Sequence, residues 1–486
     1  MTSSQFRWHA FFLCFSCAVV YPSPLVAQDA KNPAVERLYI EPFTTQTGSE
    51  KLQSDVAAEL RKIQSIVVVP NESSADVILG GGGEIWVKGY RSLNPRSGRS
   101  TSNGTPVYDG FLSVELRDKN GAALWSYLVT PGATATDVSR DLARRIAKHL
   151  PEALGHGAAA TPQGPVPPQP ATVLKGAGAT FPNPVYAKWF ANYRRENPGV
   201  EINYSPVGSQ EGVRQLLAGE LDFAASDSPE VIRDLDPSEQ EEYLLFPSVV
   251  GAVVPIVNLP GLPSDISLTP EALAGIYLGK IRKWDDPVLK RTNPGLRLPN
   301  LDIVVVHRGD GSGTSYALTD YLSQTIPEWR TQVGVGLSPK WPTGRPAIGN
   351  EGVAELVKEL GGSIGYVEFI YALKNHLSFA KVRNQNGEFV AGSLESMAVA
   401  ASQSIRIQDN FKVSIVNAPG IGAYPIASFT WFILPAHIAD TAKRNALTSF
   451  LNWMLGPGQP QAAALGYLAL PQDVVSKEKK AISALH

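Results

Sequence analysis

The residues best suited to chemistry in this 486-residue chain lie at 307–315, with the sequence His-Arg-Gly-Asp-Gly-Ser-Gly-Thr-Ser. They follow an apolar run, Ile303 to Val306, whose β-branched residues predict a buried strand. Leu318, Tyr321 and Leu322 then recur at the spacing of a helix that buries one face. The pattern therefore predicts a strand, a glycine-containing turn and a helix.

This turn has the donors that an anion-binding site needs. Gly311 and Gly313 free the backbone for a tight turn, so that consecutive N–H groups can converge on one point. Ser312 and Thr314 add hydroxyl donors, and Arg308 adds a planar charged group suited to an oxyanion. Donors at a helix N-terminus form a simple anion site, although an ordinary polar helix cap has the same local sequence.

Three established motifs are excluded at this turn. A phosphate-binding P-loop needs lysine after its last glycine, but Thr314 follows Gly313. The dinucleotide-binding pattern G-x-G-x-x-G is absent. The nucleophile turn of hydrolases, G-x-S-x-G, needs glycine where Asp310 stands.

Two other segments repeat the strand, turn and helix. Residues 176–181, Gly-Ala-Gly-Ala-Thr-Phe, follow a short strand and precede Asn183-Pro184, which we interpret as an N-cap with proline at the first helical position. Val200 to Tyr204 predicts another strand, and Gly208-Ser209 the turn before another amphipathic helix. Three such units favour an anion site over three unrelated helix caps.

A fourth segment contributes an acid. The apolar stretch before Asp227 predicts a strand that places this side chain at a strand end, where α/β sheets collect ligands. Inorganic phosphate keeps at least one proton at neutral pH, and an ionised aspartate can accept a hydrogen bond from it. Sulfate has no proton to give. Sites built around such a pairing can discriminate on the order of 10⁴-fold.

Composition and charge narrow the class of protein. With 43% hydrophobic residues and 18% charged residues, the chain is long enough for two to four folding units with real cores. A formal net charge of −2 gives no indication of nucleic acid or an acidic membrane surface as partner. The seven histidines show no H-x-H or H-E-x-x-H spacing, so we predict no metal and no cofactor.

Residues 1–27 have the pattern of a secretory signal peptide. Arg7 precedes an apolar core from Ala10 to Tyr21, and Ala27 offers a cleavage point. The core is too short to span a membrane. Both cysteines of the chain lie in this segment, without the small-residue lead of a lipid-attachment site. We therefore expect a periplasmic or secreted protein.

Residues 34–154 predict a small α+β domain with no visible chemistry, and its role and partner are unknown. The predicted order of elements is β-α-β-β-β-β-α, including a hairpin across Asp118 to Gly121. A last helix, 137–150, would bury Leu142, Ile146 and Leu150. At the level of element order alone, the domain vaguely resembles the N-terminal domain of the TolB family of envelope proteins.

Two segments of this N-terminal region have unusual composition. The glycines at 80–83 and the basic segment with Arg91, Arg96 and Arg99 could bind a ligand, but a solvated loop is the simpler interpretation. Residues 155–171, rich in proline and alanine, predict an extended, semi-rigid linker and hence a domain boundary.

Residues 172–486 closely resemble the PstS family, the periplasmic phosphate-binding proteins of bacterial phosphate ABC transporters. The segments that carry the resemblance are GAGATFPNPVYAKW at 176–189, DFAASDSP at 222–229, YLGKIRKWDDP at 277–287, RGDGSGTS at 308–315, GSIGYVEF at 362–369 and GYLALP at 466–471. They extend over about two-thirds of the chain, and the combination is highly specific.

The resemblance implies a two-lobed α/β fold of the type II periplasmic binding proteins, hinged on crossover strands near 246–258 and 426–435. The first lobe would comprise about 172–250 and 430–486, and the second about 256–426. Inorganic phosphate would be the ligand, and the permease subunits of a phosphate ABC transporter the partners, with no catalysis. The alternatives are a secreted phosphate-ester hydrolase and, on the extra domain alone, a phosphate-sensing envelope adaptor.

The resemblance also implies which residues bind phosphate. On the first lobe they are Thr180, Phe181 through its backbone N–H, Ser209 and Asp227. On the second lobe they are Arg308, Ser312, Gly313 and Thr314, with Asp310 as the acid that pairs with the arginine.

One departure from the family pattern follows Ser209, where Gln210 and Glu211 replace the usual small residues. An acid in the first turn suits the helix dipole but would also repel an anion bound nearby. The departure therefore bears on the affinity for phosphate rather than on the assignment of the chain to the family.

Overall fold

The computed structural model describes residues 36–45, 51–91, 105–132, 135–154, 172–233, 235–259, 262, 265–402, 411–483 and 485. The signal peptide predicted for residues 1–27 and the linker predicted for residues 155–171 lie outside this range, as do Arg96 and Arg99 of the basic segment. No helix in the described part of the chain is both long enough and apolar enough to cross a membrane.

The N-terminal part of the chain forms a mixed sheet with two helices. Its elements are β1 (Glu36–Ile40), β2 (Thr44–Thr45), α1 (Leu52–Leu60), β3 (Ile66–Val69), β4 (Val77–Arg91), β5 (Thr105–Asp118), β6 (Ala123–Val129) and α2 (Val138–Leu154). The strand order is β3-β1-β4-β5-β6, and β2 pairs with β4. The predicted element order is thus confirmed, with the two-residue β2 as an addition.

The helices of this part pack side by side, each with one apolar stripe. Leu142, Ile146 and Leu150 of α2 are fully buried, as predicted. On α1, Val56 and Leu60 are also fully buried. Because residues four apart share one helix face, both helices place their apolar stripes in the same core.

The four glycines at 80–83 do not form a loop. They lie in the middle of β4 and pair with residues 112–115 of β5. A Cβ atom at Gly81 or Gly83 would lie 2.5 Å from a carbonyl oxygen of β5. Close approach of two strands therefore accounts for the glycine run, and the interpretation as a solvated loop is wrong for these four residues.

The remaining described residues form a larger α/β unit. Its strands are β7 (Thr172–Gly178), β8 (Val200–Ser205), β9 (Phe223–Ser226), β10 (Tyr243–Val257), β11 (Ser267–Leu268), β12 (Val304–Arg308), β13 (Arg345–Ala347), β14 (Ser363–Glu368), β15 (Ser378–Phe379), β16 (Lys381–Arg383), β17 (Phe389–Val390) and β18 (Ala427–Pro435). Its helices are α3 (Asn183–Glu196), α4 (Ser209–Leu217), α5 (Pro237–Gln240), α6 (Pro270–Tyr277), α7 (Pro287–Thr292), α8 (Gly313–Thr325), α9 (Pro327–Gln332), α10 (Gly349–Glu359), α11 (Phe369–Lys374), α12 (Leu394–Ser402), α13 (Thr441–Trp453) and α14 (Gln472–Ile482).

Two long strands connect the lobes of this unit. The main sheet has the order β13-β12-β14-β10-β18-β9-β7-β8. Strands β10 and β18 pair antiparallel from Tyr243 opposite Pro435 to Ala252 opposite Ala427. Beyond this stretch β10 pairs with β14 of the second lobe. Within it, the other edge of β18 pairs with β9 of the first lobe. The predicted two-lobed fold with two crossover strands is therefore confirmed.

The three predicted units of strand, turn and helix are all present, as β7 with α3, β8 with α4 and β12 with α8. One detail differs from the prediction. Helix α3 begins at Asn183, its N-cap is Pro182, and the cap makes no side-chain hydrogen bond. Asn183 is thus the first helical residue and not the N-cap, a shift of one position that local sequence rarely resolves.

The turn after β7 can be tested by substitution. Gly178 has a φ of 141°, and a Cβ atom there would lie 2.1 Å from the carbonyl oxygen of Ala225. We expect Gly178→Ala to lower the unfolding free energy by about 2–3 kcal/mol, because alanine disfavours this φ and its Cβ atom would clash with the Ala225 carbonyl oxygen. Gly199→Ala is the matched control, since a Cβ atom there would meet no atom within 4 Å. Urea unfolding measures both variants, and equal midpoints would contradict the prediction.

Candidate anion-binding site

The helix starts of the two lobes meet at the candidate site. Ser209 is the first residue of α4 in the first lobe, and Gly313 is the first residue of α8 in the second. The Gly313 N–H donates a hydrogen bond of 3.1 Å to Ser209 Oγ. Ser312, the N-cap of α8, accepts a hydrogen bond from the Ser315 N–H through its Oγ atom. The structure thus brings together two of the three predicted anion-binding turns across the cleft.

The third turn is held in place by two tyrosine hydroxyls. Tyr371 Oη donates to the carbonyl of Thr180 (2.8 Å), and Tyr467 Oη donates to the carbonyl of Phe181 (2.6 Å). In a planar trans peptide the N–H points opposite to the carbonyl. The Phe181 N–H therefore points away from the Tyr371 hydroxyl. The ring of Phe181 is fully buried.

Arg308 is oriented by Asp310. Its guanidinium Nε donates to Asp310 Oδ1 at 2.7 Å, and Nη2 donates to Oδ2 of the same carboxylate. Nη1 lies 3.4 Å from Thr314 Oγ1. Although burial alone would raise the pKa of Asp310, the hydrogen bonds and charge of Arg308 hold that pKa below its ordinary value. The pairing with Asp310 thus holds the buried guanidinium of Arg308 so that its Nη1 atom lies toward the start of α8.

Asp227 is the acid of the site and is almost completely buried. Its Oδ1 accepts a hydrogen bond of 2.6 Å from Thr430 Oγ1 on β18. A Cβ atom at Gly313 would lie 2.7 Å from Asp227 Oδ2, so the carboxylate lies directly beside the start of α8. Burial raises the pKa of Asp227 to about 7, and the Thr430 hydrogen bond and the charge of Arg308 offset only part of this effect.

Asn350 is a residue of the site that the sequence analysis missed. It is fully buried, and its Nδ2 lies 2.9 Å from Thr180 Oγ1 and 3.4 Å from Thr314 Oγ1. Its Oδ1 accepts a hydrogen bond of 3.0 Å from the Glu368 N–H. One amide therefore links a hydroxyl of each lobe.

A local signal for Asn350 exists but is weak. The residue follows Gly349, whose φ is 69°, in the first turn of α10 directly after β13. This is a fourth unit of strand, turn and helix. It escaped notice because β13 has only three residues and contains Pro346, so neither its length nor its composition indicates a strand.

Gln210 and Glu211 take different directions. The Glu211 carboxylate accepts hydrogen bonds from Arg214 (2.8 and 2.9 Å) and from Gln215 (2.8 Å), all on its own helix. These contacts lower the pKa of Glu211 to about 2. The acid is therefore paired with Arg214, which offsets part of the repulsion expected between Glu211 and an anion bound nearby. Gln210 instead reaches across the cleft to Ser338.

Comparisons with known proteins identify the family of this chain. The profile described as "PBP superfamily domain" matches residues 165–457. The phosphate-binding protein PstS of Haemophilus influenzae is 42% identical over 318 residues, which cover 65% of this chain and 94% of that protein. PstS of Methanocaldococcus jannaschii is 35% identical over 341 residues, covering 65% of this chain and 87% of that protein.

Among solved structures, the chain is similar to a high-affinity periplasmic phosphate-binding protein, PfluDING, with a TM-score of 0.51 and 22% identity. This likeness covers 64% of this chain and 93% of that one and concerns the fold. The sequence matches decide the family, because they extend over almost the whole length of the relatives. This chain belongs to the PstS family of phosphate-binding proteins within the PBP superfamily.

Proposed function

We propose that this protein binds inorganic phosphate outside the cytoplasm and delivers it to the permease subunits of a phosphate ABC transporter. The observation that carries the proposal is the buried carboxyl group of Asp227 beside the start of α8. Relatives that the chain matches over most of their length are named for phosphate binding. The signal peptide predicted at residues 1–27 supports the location.

The proposed ligand set combines charge with many hydrogen-bond donors. Arg308 supplies the cation, and its bidentate pairing with Asp310 orients the guanidinium before the ligand arrives. The remaining donors are the hydroxyls of Thr180, Ser209, Ser312 and Thr314 and the backbone N–H groups of Phe181 and Gly313. Preorganised donors at helix starts bind an anion with little further ordering.

Asp227 supplies the acceptor that distinguishes phosphate from sulfate. As a carboxylate it can only accept hydrogen bonds, so it suits an anion that carries a proton and opposes one that does not. The Thr430 hydroxyl occupies Oδ1, whereas Oδ2 lies at the start of α8. We assign to Oδ2 the hydrogen bond from a phosphate hydroxyl.

Closure of the lobes follows from the distribution of these ligands. Thr180, Ser209 and Asp227 belong to the first lobe, whereas Arg308 and the α8 start belong to the second. An anion that contacts both sets binds the closed form better than the open form and shifts the population toward closure. A permease could distinguish the loaded form by this difference.

The first test is calorimetric titration of the full chain with phosphate, beside Arg308→Ala. We expect the native protein to bind one phosphate, and the variant to lose about 2–5 kcal/mol of binding free energy because a buried charge pair is broken. Arg291→Ala, at the exposed end of α7, is the matched control and should bind normally. Native affinity in Arg308→Ala would place the anion elsewhere, and absence of binding by native protein would contradict the proposed function.

The second test concerns pH and selectivity. Because burial raises the pKa of Asp227 to about 7, the group is a carboxylate at pH 8 and a neutral acid at pH 5.5. Only the neutral acid can donate a hydrogen bond to sulfate. We therefore expect sulfate, which does not titrate in this range, to bind the native protein more tightly at pH 5.5 than at pH 8.

Asp227→Asn is the control for this pH dependence. Its amide offers a donor at both pH values and changes the side-chain size very little, so sulfate should bind with similar affinity at pH 5.5 and pH 8. Direct titrations with sulfate measure the affinity of the native protein and of the variant at each of the two pH values. If the variant keeps the full pH dependence of the native protein, another group sets selectivity and Asp227 is structural.

A further inference from the structure

An exposed hydrogen bond crosses the cleft just outside the buried site. Gln210 Oε1 accepts a hydrogen bond of 2.7 Å from Ser338 Oγ, and the backbone N–H of Gln210 donates to the carbonyl of Gly311 at 3.1 Å. Gln210 and Ser338 are exposed, whereas the adjacent Ser209 is fully buried. The pair therefore forms an outer layer over the candidate site.

Gln210 also fills the space above the start of α8. A Cβ atom at Gly311 would lie 2.3 Å from Gln210 Cβ and 2.4 Å from its Oε1. The segment that contains Ser338 is tied to the same place, because the Ser312 N–H donates to the carbonyl of Leu337 at 2.9 Å. One side chain of the first lobe thus contacts two segments of the second.

A cavity of about 150 Å³ adjoins this pair. Gln210 and Ser338 line it together with Ser228 and Tyr316. Ser228 directly follows Asp227 in the chain. Truncation of Gln210 would extend this cavity toward Ser209 and the α8 start.

We propose that Gln210 and Ser338 form a latch over the cleft that excludes phosphate monoesters, so that the site accepts only unsubstituted phosphate. The proposal rests on phosphate being the ligand. An ester carries an organic group on one oxygen. In the closed cleft this group would have to extend outward through the space that the latch occupies. Because the latch joins residues of opposite lobes, its hydrogen bond also stabilises the closed form and slows release.

The test uses the full chain at pH 5.5 with two probes, inorganic phosphate and methyl phosphate, the smallest monoester. The second pKa of a phosphate monoester is about 6, so most methyl phosphate keeps a proton at this pH and the Asp227 side chain, which is then neutral, does not oppose it. Native protein should bind phosphate and exclude methyl phosphate. Gln210→Ala should bind methyl phosphate and release phosphate about threefold to tenfold faster, the effect of one net hydrogen bond. Ser338→Ala should also speed phosphate release, and the double variant should release it no faster than Gln210→Ala, because both changes remove the same bond.

Gln215→Ala is the matched control, since this glutamine lies on the same helix and bonds to Glu211. It should match the native protein with both probes. If native protein binds no phosphate, the proposed function fails. If native protein binds phosphate, the latch is overturned by native binding of methyl phosphate or by unchanged exclusion in Gln210→Ala.

A separate set of contacts concerns the N-terminal sheet, which touches both lobes. On the first lobe, Ser113 Oγ donates to the carbonyl of Ala464 (2.7 Å), and the Ala464 N–H donates to Ser126 Oγ (3.0 Å). Ser126 Oγ also donates to the carbonyl of Pro460. Leu128 of β6 belongs to the apolar core of the larger unit.

On the second lobe, the contact has a stacked pair, a hydrogen bond and an ion pair. The ring of Trp86 stacks on His376 with centroids 4.4 Å apart and an interplanar angle of 20°. His376 also pairs with Glu84, and Lys88 pairs with Asp265. The same sheet therefore contacts both lobes while they are closed on each other.

A third body attached to two lobes restricts their movement. Hinge closure rotates one lobe against the other, and a rigid sheet cannot keep both sets of contacts through such a rotation. We infer that the N-terminal sheet, β1 to β6, acts as an intramolecular clamp that stabilises the closed form and slows phosphate release. This inference uses phosphate as the ligand but does not depend on the latch.

The first test changes only the lobe side of the contact, so that the N-terminal sheet keeps its own residues. Asp265→Asn with His376→Asn removes the ion pair of Lys88, the contact of Glu84 with His376 and the stacked ring. Asparagine tolerates the φ of 55° at position 376. We expect the full-length double variant to release phosphate about fivefold faster in stopped-flow measurements, given typical values for one stacked pair and one partly buried ion pair.

One control and one second test make the outcome decisive. Asp302→Asn, the control, changes an exposed acid of the same lobe and should release phosphate at the native rate. Ser126→Ala, the second test, changes the N-terminal sheet itself, removes two of the hydrogen bonds to the first lobe and should also speed release. Unchanged or slower release in the double variant, with phosphate still bound, would overturn the clamp, whereas failure of native protein to bind phosphate would overturn the proposed function instead.

Discussion

The architecture depends on the antiparallel pairing of β10 with β18. These two strands are buried over almost their whole length and carry the sheet from one lobe to the other. Besides their pairing with each other, β10 pairs with β14 of the second lobe and β18 pairs with β9 of the first lobe. Thr430 on β18 reaches the carboxylate of Asp227, so the hinge strands also form part of the site wall.

The site resolves an apparent conflict, because an acid stands among groups that attract anions. Burial raises the pKa of Asp227 to about 7, so near neutral pH a large fraction of this side chain is uncharged and opposes an approaching anion less. The second acid, Asp310, has the opposite environment and stays ionised beside Arg308. Two carboxyl groups of one site thus differ in pKa because Asp227 is completely buried, whereas Asp310 has a cation as a bidentate partner.

The N-terminal sheet makes this chain more than a two-lobed binding unit. Its contacts involve the helical turns near Pro460 and Ala464 on one side and the region of His376 and Asp265 on the other. Most of these contacts are polar and partly exposed, as in interfaces that form and break. Such an interface can respond to movement of the lobes without unfolding either part.

The sequence by itself indicated the donors, the acid and the three helix starts, because turn residues and hydrophobic periodicity are local signals. The lobed fold was implied by the resemblance to the PstS family. Local signals do not determine which segments meet over distances of a hundred residues or more. Only the tertiary structure placed Asn350 between Thr180 and Thr314 and Gln210 against Ser338. It also put the glycines at 80–83 inside a strand and the N-terminal sheet against both lobes. The physical reason is that these contacts join segments far apart in the chain, which the strand order of the sheet brings together. The burial of Asp227, and with it the pKa of that residue, depends on the same packing.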